Sequence, residues 1–137
     1  MGKFLSLVTF LAAAVFVTRQ AVLKRRPQVI AQFMRAMAEA AKIFHTDRSF
    51  TYKVLAKYLR IDDPKIVDAV YRYEVKALEP RLELKAEAIQ AILDEVSASD
   101  PRAKNVSAQQ LIDRHYLDEM DKSGFYESLW GKVKDKG

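Results

Sequence analysis

From Pro27 to His45 the apolar residues Ile30, Phe33, Met34, Met37, Ala41 and Phe44 recur at three- and four-residue steps. Gln28, Gln32, Arg35, Glu39 and Lys42 fill the other side, and this period predicts an amphipathic helix. Pro27 suits its first position, where a missing N–H costs nothing. Arg19–Arg26 reads as a short helical turn before it. Thr46-Asp47 supplies a break and a cap. A second helix then runs to about Leu59, with Phe50, Val54, Leu55, Tyr58 and Leu59 on one face. Asp63-Pro64 opens a third through Ile66, Val67, Val70, Tyr71, Ala77 and Leu78, stopping before Pro80. Leu84–Val96 is a fourth, held by Ala88, Ile89, Ile92 and Leu93. Ser97–Asn105 is polar and reads as a loop. Ser107 with Gln110 forms a capping box that opens a fifth helix through Leu111, Ile112, Tyr116, Leu117 and Met120, ended by Gly124. Tyr126–Trp130 forms a last short turn. No internal repeat is present, so a solenoid is not supported.

The fold class expected is mainly α, about five helices, with at most one or two short strands near Ala12–Val17. The chain divides into residues 1–17, an apolar segment, residues 18–131, a helical part, and residues 132–137, a basic tail expected to fray. Phe4–Val17 carries no charge, but its 14 residues fall short of the roughly 20 that span a bilayer. As a secretory signal it has Lys3 before an apolar run and Ala12-Ala13-Ala14 as a small-residue cleavage site. Against that, Val15-Phe16-Val17 continues the apolar run, and Arg19, Lys24, Arg25 and Arg26 follow it, where positive charge resists translocation. A buried strand or core segment fits the same residues. Strand, signal and anchor remain open for this stretch.

The 137 residues carry 23 Lys plus Arg against 18 Asp plus Glu, a net charge of +5. Half of them are hydrophobic, enough for one core and against a disordered chain. Without cysteine there is no disulfide scaffold, thiol catalysis or iron–sulfur centre. Four Gly and four Pro are too few for a turn-rich β sandwich. Phosphate loops, nucleophile elbows and zinc-protease motifs are absent.

Only His45 and His115 represent histidine. His115 and Glu119 stand one helical turn apart and would put two metal ligands on one face, but no third follows. Asp118, Glu119 and Asp121 read as a solvated acidic face. Lys24-Arg25-Arg26 is suited to phosphate or lipid headgroups, or simply to a soluble helix start. Tyr58, Tyr71, Tyr73 and Trp130 sit at helical spacing and read as core before they read as a stacking platform. No catalytic residue, metal ligand or cofactor is assigned, and ligand-binding residues are unknown.

Three stretches carry a family resemblance. The first is Thr18–Phe44, with Phe33, Arg35, Ala36, Glu39 and Ala40 as its core pattern. The second is Val54–Tyr71 (VLAKYLRIDDPKIVDAVY), and the third is Asp113–Trp130, with its Lys-Ser-Gly-Phe stop at Lys122–Phe125. In this order they resemble the periplasmic substrate-binding proteins of ABC importers, of the nitrate, sulfonate, taurine and thiamine-pyrimidine-precursor type. The likeness runs over about residues 12 to 130. Each stretch alone is a helix-surface pattern; their order and spacing give the likeness its specificity. It implies a fragment of a two-lobed α/β binding protein, matching its C-terminal part only. Most ligand contacts in that family come from parts with no counterpart here, so no binding residue is carried over.

The resemblance implies a non-enzymatic, partial solute-binding protein for a small anionic or heterocyclic nutrient, without a complete ligand site. Its partners would be that solute and an ABC permease, its place periplasmic or membrane-associated. The rival class is a small membrane-anchored helical interaction protein, with membrane contact through Phe4–Val17 and cytoplasmic helices. A basic nucleic-acid-binding domain is a weaker rival, because positive charge is spread over several helices among acidic residues and recurs at the tail. No nucleic-acid partner is expected.

Overall fold

The computed structural model describes residues 16–131. Eight α-helices and one 3-10 helix follow in order, and no strand occurs among the described residues. They are α1 (Gln20–Arg25), α2 (Pro27–Thr46), α3 (Arg48–Leu59), α4 (Pro64–Ala77), α5 (Ala86–Val96), the 3-10 helix Pro101–Asn105, α6 (Ala108–Leu111), α7 (His115–Lys122) and α8 (Phe125–Trp130). The mainly α class is as the periodicity predicts. Of the segment expected to hold a short strand, Phe16 and Val17 are irregular, and Ala12–Val15 lie outside the described residues, as does the expected tail at 132–137.

Sequence punctuation explains most boundaries. Pro27 opens α2, whose 20 residues make a rod of about 30 Å. Asp47 ends it and caps the next helix, its Oδ1 accepting from Phe50 N–H at 2.9 Å. Asp63 does the same for α4, accepting from Lys65 N–H at 2.8 Å. Gln110 accepts from Ser107 N–H at 2.9 Å, the reciprocal half of the expected capping box.

Three boundaries differ from the sequence reading, the first being that the expected fourth helix starts at Ala86 rather than Leu84. The expected fifth helix is broken, because Ile112 turns extended and Asp113 Oδ1 accepts from His115 N–H at 2.9 Å, starting α7 afresh. Gly124, at φ 74°, ends α7 and opens α8, so the expected closing turn is a helix of its own. The expected loop Ser97–Asn105 contains the 3-10 turn, started by Asp100 accepting from Arg102 N–H at 3.0 Å.

α2 is the spine, in contact with α1, α3, α7 and α8. The core gathers Ala38, Ala41, Leu82, Leu117, Met120 and Tyr126, flanked by Met34, Met37, Leu78, Phe125, Leu129 and Trp130. Small Ala38 and Ala41 let the short helices approach the α2 backbone closely. Phe33, expected on the buried face, is 43% exposed, whereas Ala38 is fully buried. The apolar arc of α2 is wide, and α7 and α8 cover its Ala38–Ala41 side rather than its Phe33 side.

The connection Leu78–Lys85 crosses this core. Leu82 holds φ 58° while almost fully buried. A left-handed leucine costs on the order of 1–2 kcal/mol, which side-chain burial offsets. Tyr126 Oη donates to the Arg81 carbonyl at 2.7 Å, and the Arg81 guanidinium lies 4.6 Å over the Tyr126 ring while pairing with Asp121. A second cluster forms between α3 and α4, where Thr51, Val67 and Tyr71 are buried.

Candidate functional site

The densest polar cluster lies where α3 and α4 meet. Capping by Asp47 places Arg48 and Tyr52 one turn apart at the start of α3. The Asp63-Pro64 start of α4 places Asp68 and Arg72 one turn apart on the facing helix. The Asp68 carboxylate receives all three partners. Tyr52 Oη donates to Oδ1, as does Arg48 Nη2 at 2.6 Å, and Arg72 donates to Oδ2 through Nη2 and through Nε at 2.5 Å. Arg48 also donates to Tyr52 Oη through Nη2 at 2.7 Å and Nε at 3.0 Å. Its guanidinium stacks over Tyr52 at 5.0 Å and over Tyr71 at 5.6 Å.

The electrostatics follow from these bonds. The Arg72 guanidinium foremost, then Tyr52 and Arg48, holds the Asp68 carboxyl down at about 2 against some desolvation. Burial, then the bond to Asp68, raises the Tyr52 phenol, opposed by Arg48. Both arginines are raised by their bonded partners. Beside the cluster is a shallow hollow of about 520 Å³ lined by Pro64, Lys65, Asp68, Ala69 and Arg72. Lys65 and Arg72 against one carboxylate give its rim a positive balance. Asp68 is saturated by donors, so it has no lone pair aimed at a substrate proton, and general-base work is not what this geometry offers. The arrangement ties α3 to α4. The sequence reading singled out none of these four residues. Their signal was present as two i,i+4 pairs, Arg48/Tyr52 and Asp68/Arg72.

The residues that were singled out are dispersed. His45 Nε2 donates to the Leu78 carbonyl at 2.9 Å, and its ring meets Trp130 at 5.9 Å. Lys42 Nζ sits 4.8 Å over the same indole. The buried Trp130 Nε1 has no hydrogen-bond acceptor among the described residues. His115 is exposed and lies edge-on to Tyr116 at 5.0 Å. Glu119, its expected co-ligand, faces Arg35 at 3.6 Å. No group of three or more metal-ligating side chains occurs among the described residues.

The acidic trio separates into three ion pairs: Asp118 with Arg114 at 3.4 Å, Glu119 with Arg35, and Asp121 with Arg81. Such exposed pairs each contribute at most about 1 kcal/mol. Lys24, Arg25 and Arg26 are exposed. Of the four aromatics expected in the core, Tyr71 is buried and Trp130 half-buried. Tyr58 and Tyr73 are exposed, at 75% and 47%, correcting that expectation. Neither joins the buried cluster between α3 and α4, and Tyr58 lies under Lys57 Nζ at 5.5 Å. No helix among the described residues is long and apolar enough to cross a membrane.

Comparison of the chain with protein-family models, with curated proteins and with solved structures finds no match.

Proposed function

We propose that the chain is a helical part of a solute-binding protein of an ABC importer, built to cover a further structural layer, without a complete ligand site and without catalytic activity. One observation carries this reading beyond the sequence resemblance. Within or beside the resembling stretches, Ile43, Phe50, Tyr58, Leu59, Ile66 and Tyr73 are exposed. Among the described residues, thirteen large apolar or aromatic side chains are exposed and six are buried. Helices that bury fewer large side chains than they expose are suited to covering something else, because apolar area left exposed in quantity marks interaction surface. In this reading the face packs on the rest of a binding lobe, the solute is a small anion or heterocycle, and the assembled protein delivers it to a permease outside the cytoplasmic membrane.

Affinity in a two-lobed binder comes from enclosing the ligand, and one partial layer leaves it wet. Calorimetry against taurine, alkanesulfonates, nitrate and pyrimidine precursors tests this. Every dissociation constant is expected to be weaker than about millimolar, near −4 kcal/mol. A micromolar constant overturns the incomplete site. Release by osmotic shock supports the transport reading, and a chain found solely in the cytosol refutes it. An upstream reading frame for the remaining lobes, beside permease and ATPase genes, would establish the ancestry.

A further inference from the structure

The net charge is unevenly placed. The first 38 residues hold six basic residues (Lys3, Arg19, Lys24, Arg25, Arg26 and Arg35) and no acidic one. The other 99 hold 17 basic and 18 acidic residues, so the positive excess belongs to the N-terminal part alone. Arg35 is paired with Glu119. Arg19, Lys24, Arg25 and Arg26 are exposed and make no ion pair among the described residues.

Apolar side chains stand among these cations. Val17 and Val22 are exposed, and Val29 and Phe33, one turn apart on α2, are 54% and 43% exposed. Phe16 packs edge-on against Phe33 at 5.0 Å and is itself exposed. α1 contributes only Leu23 as a half-buried side chain. This is the composition of an interfacial element: cations for phosphate headgroups, and short apolar side chains plus Phe for the acyl boundary. A nucleic acid satisfies the cations, and its bases can stack on Phe33, but it offers no apolar phase to the aliphatic Val22 and Val29. A protein partner of ordinary surface would not need a strip devoid of acid.

We propose that Phe16–Phe33, comprising α1 and the first turns of α2, lies on an anionic lipid surface, with Arg19, Lys24, Arg25 and Arg26 at the headgroups and Val22, Val29 and Phe33 inserted. This surface shares no residue with the exposed Ile43, Phe50, Tyr58, Leu59, Ile66 and Tyr73, and it does not rest on the solute-binding reading. It adds a lipid contact within the described residues to whatever Phe4–Val15 contributes.

Co-sedimentation of the full chain with phosphatidylcholine vesicles, and with vesicles half phosphatidylglycerol, tests it. Phe4–Val17 is present in every variant, so differences report the described surface. Partition onto the anionic vesicles is expected to exceed that onto neutral ones by at least about tenfold and to fall with added salt. The triple variant K24E/R25E/R26E should bring it to the neutral-vesicle level. V29S/F33S should lower it severalfold with lipid charge unchanged. All substituted residues are exposed, and an unchanged far-UV circular dichroism spectrum confirms that each variant folds. Equal partition of the wild-type and charge-reversed chains overturns the proposal, as does indifference to V29S/F33S. So does tight binding of a short DNA duplex with no preference for anionic vesicles, which would reassign the cations to nucleic acid.

Discussion

Replacing Met120 by Ala removes the largest side chain that is essentially fully buried, at 2% exposure, from the cluster joining α2, α7 and α8. Deletion of a buried Met to Ala costs about 2–5 kcal/mol, made of lost transfer energy and the cavity left behind. The neighbours Met34 and Met37 are only partly buried, and unbranched methionines relax into gaps. The expected loss therefore sits near the lower end, about 2–3 kcal/mol. That is a large fraction of the 5–15 kcal/mol typical of a domain. At roughly 4 °C per kcal/mol for a chain of this size, the midpoint should drop by about 10 °C. The matched control is Phe33→Ala. Phe33 is 43% exposed, so about half of its burial energy is at stake, near 1 kcal/mol. Urea unfolding followed at 222 nm, with the slope unchanged between variants, reads both values. If Phe33→Ala costs as much as Met120→Ala, the buried side of α2 has been placed wrongly and the core described above is not the one that holds the chain.

Asp68 is held near 2, below its unfolded value near 3.8, so its contribution is complete above about pH 4 and is lost as pH falls through 2. Stability measured from pH 5 to pH 2 should fall less steeply in Asp68→Asn, and an identical slope in both proteins refutes the role of the Arg72 pair. Tyr126→Phe leaves the Arg81 carbonyl without its donor and should cost about 1 kcal/mol by the same urea assay, with no loss counting against the clamp. Burial also raises the Tyr126 phenol above its ordinary value near 10, so stability should decline as pH rises beyond that range, and this decline should be smaller in the Phe variant. Gln110→Ala removes the acceptor for the Ser107 N–H and should cost about 0.5–1 kcal/mol, against no effect at the neighbouring exposed Gln109.

Helix existence was legible because it is local. Asp47, Asp63 and the Ser107/Gln110 box act through bonds to residues two or three positions away, and Pro27 and Gly124 through their own backbone angles, so residue type and spacing suffice. The missed break at Ile112–Arg114 was also local: Asp113 is a good cap, but Ile112 and Tyr116 continued the apolar period and masked it. The lone i,i+4 pairs Arg48/Tyr52 and Asp68/Arg72 look like ordinary surface pairs until α3 and α4 are set side by side, because their meaning lies in three side chains converging on one carboxylate.

The sequence by itself determined the helical class, most helix starts and the absence of acidic residues before Glu39. Only the tertiary structure decided which side of α2 is buried. Its apolar arc is broad enough for either Phe33 or Ala38 to face inward, and the choice is made by where the short helices α7 and α8 can approach the backbone, over the small side chains. Likewise only the tertiary structure separated Tyr71, packed under Arg48 and against Phe44 at 5.5 Å, from the exposed Tyr58 and Tyr73. Helical spacing sets the direction of a side chain from its own axis, but what stands in that direction depends on elements distant in the chain.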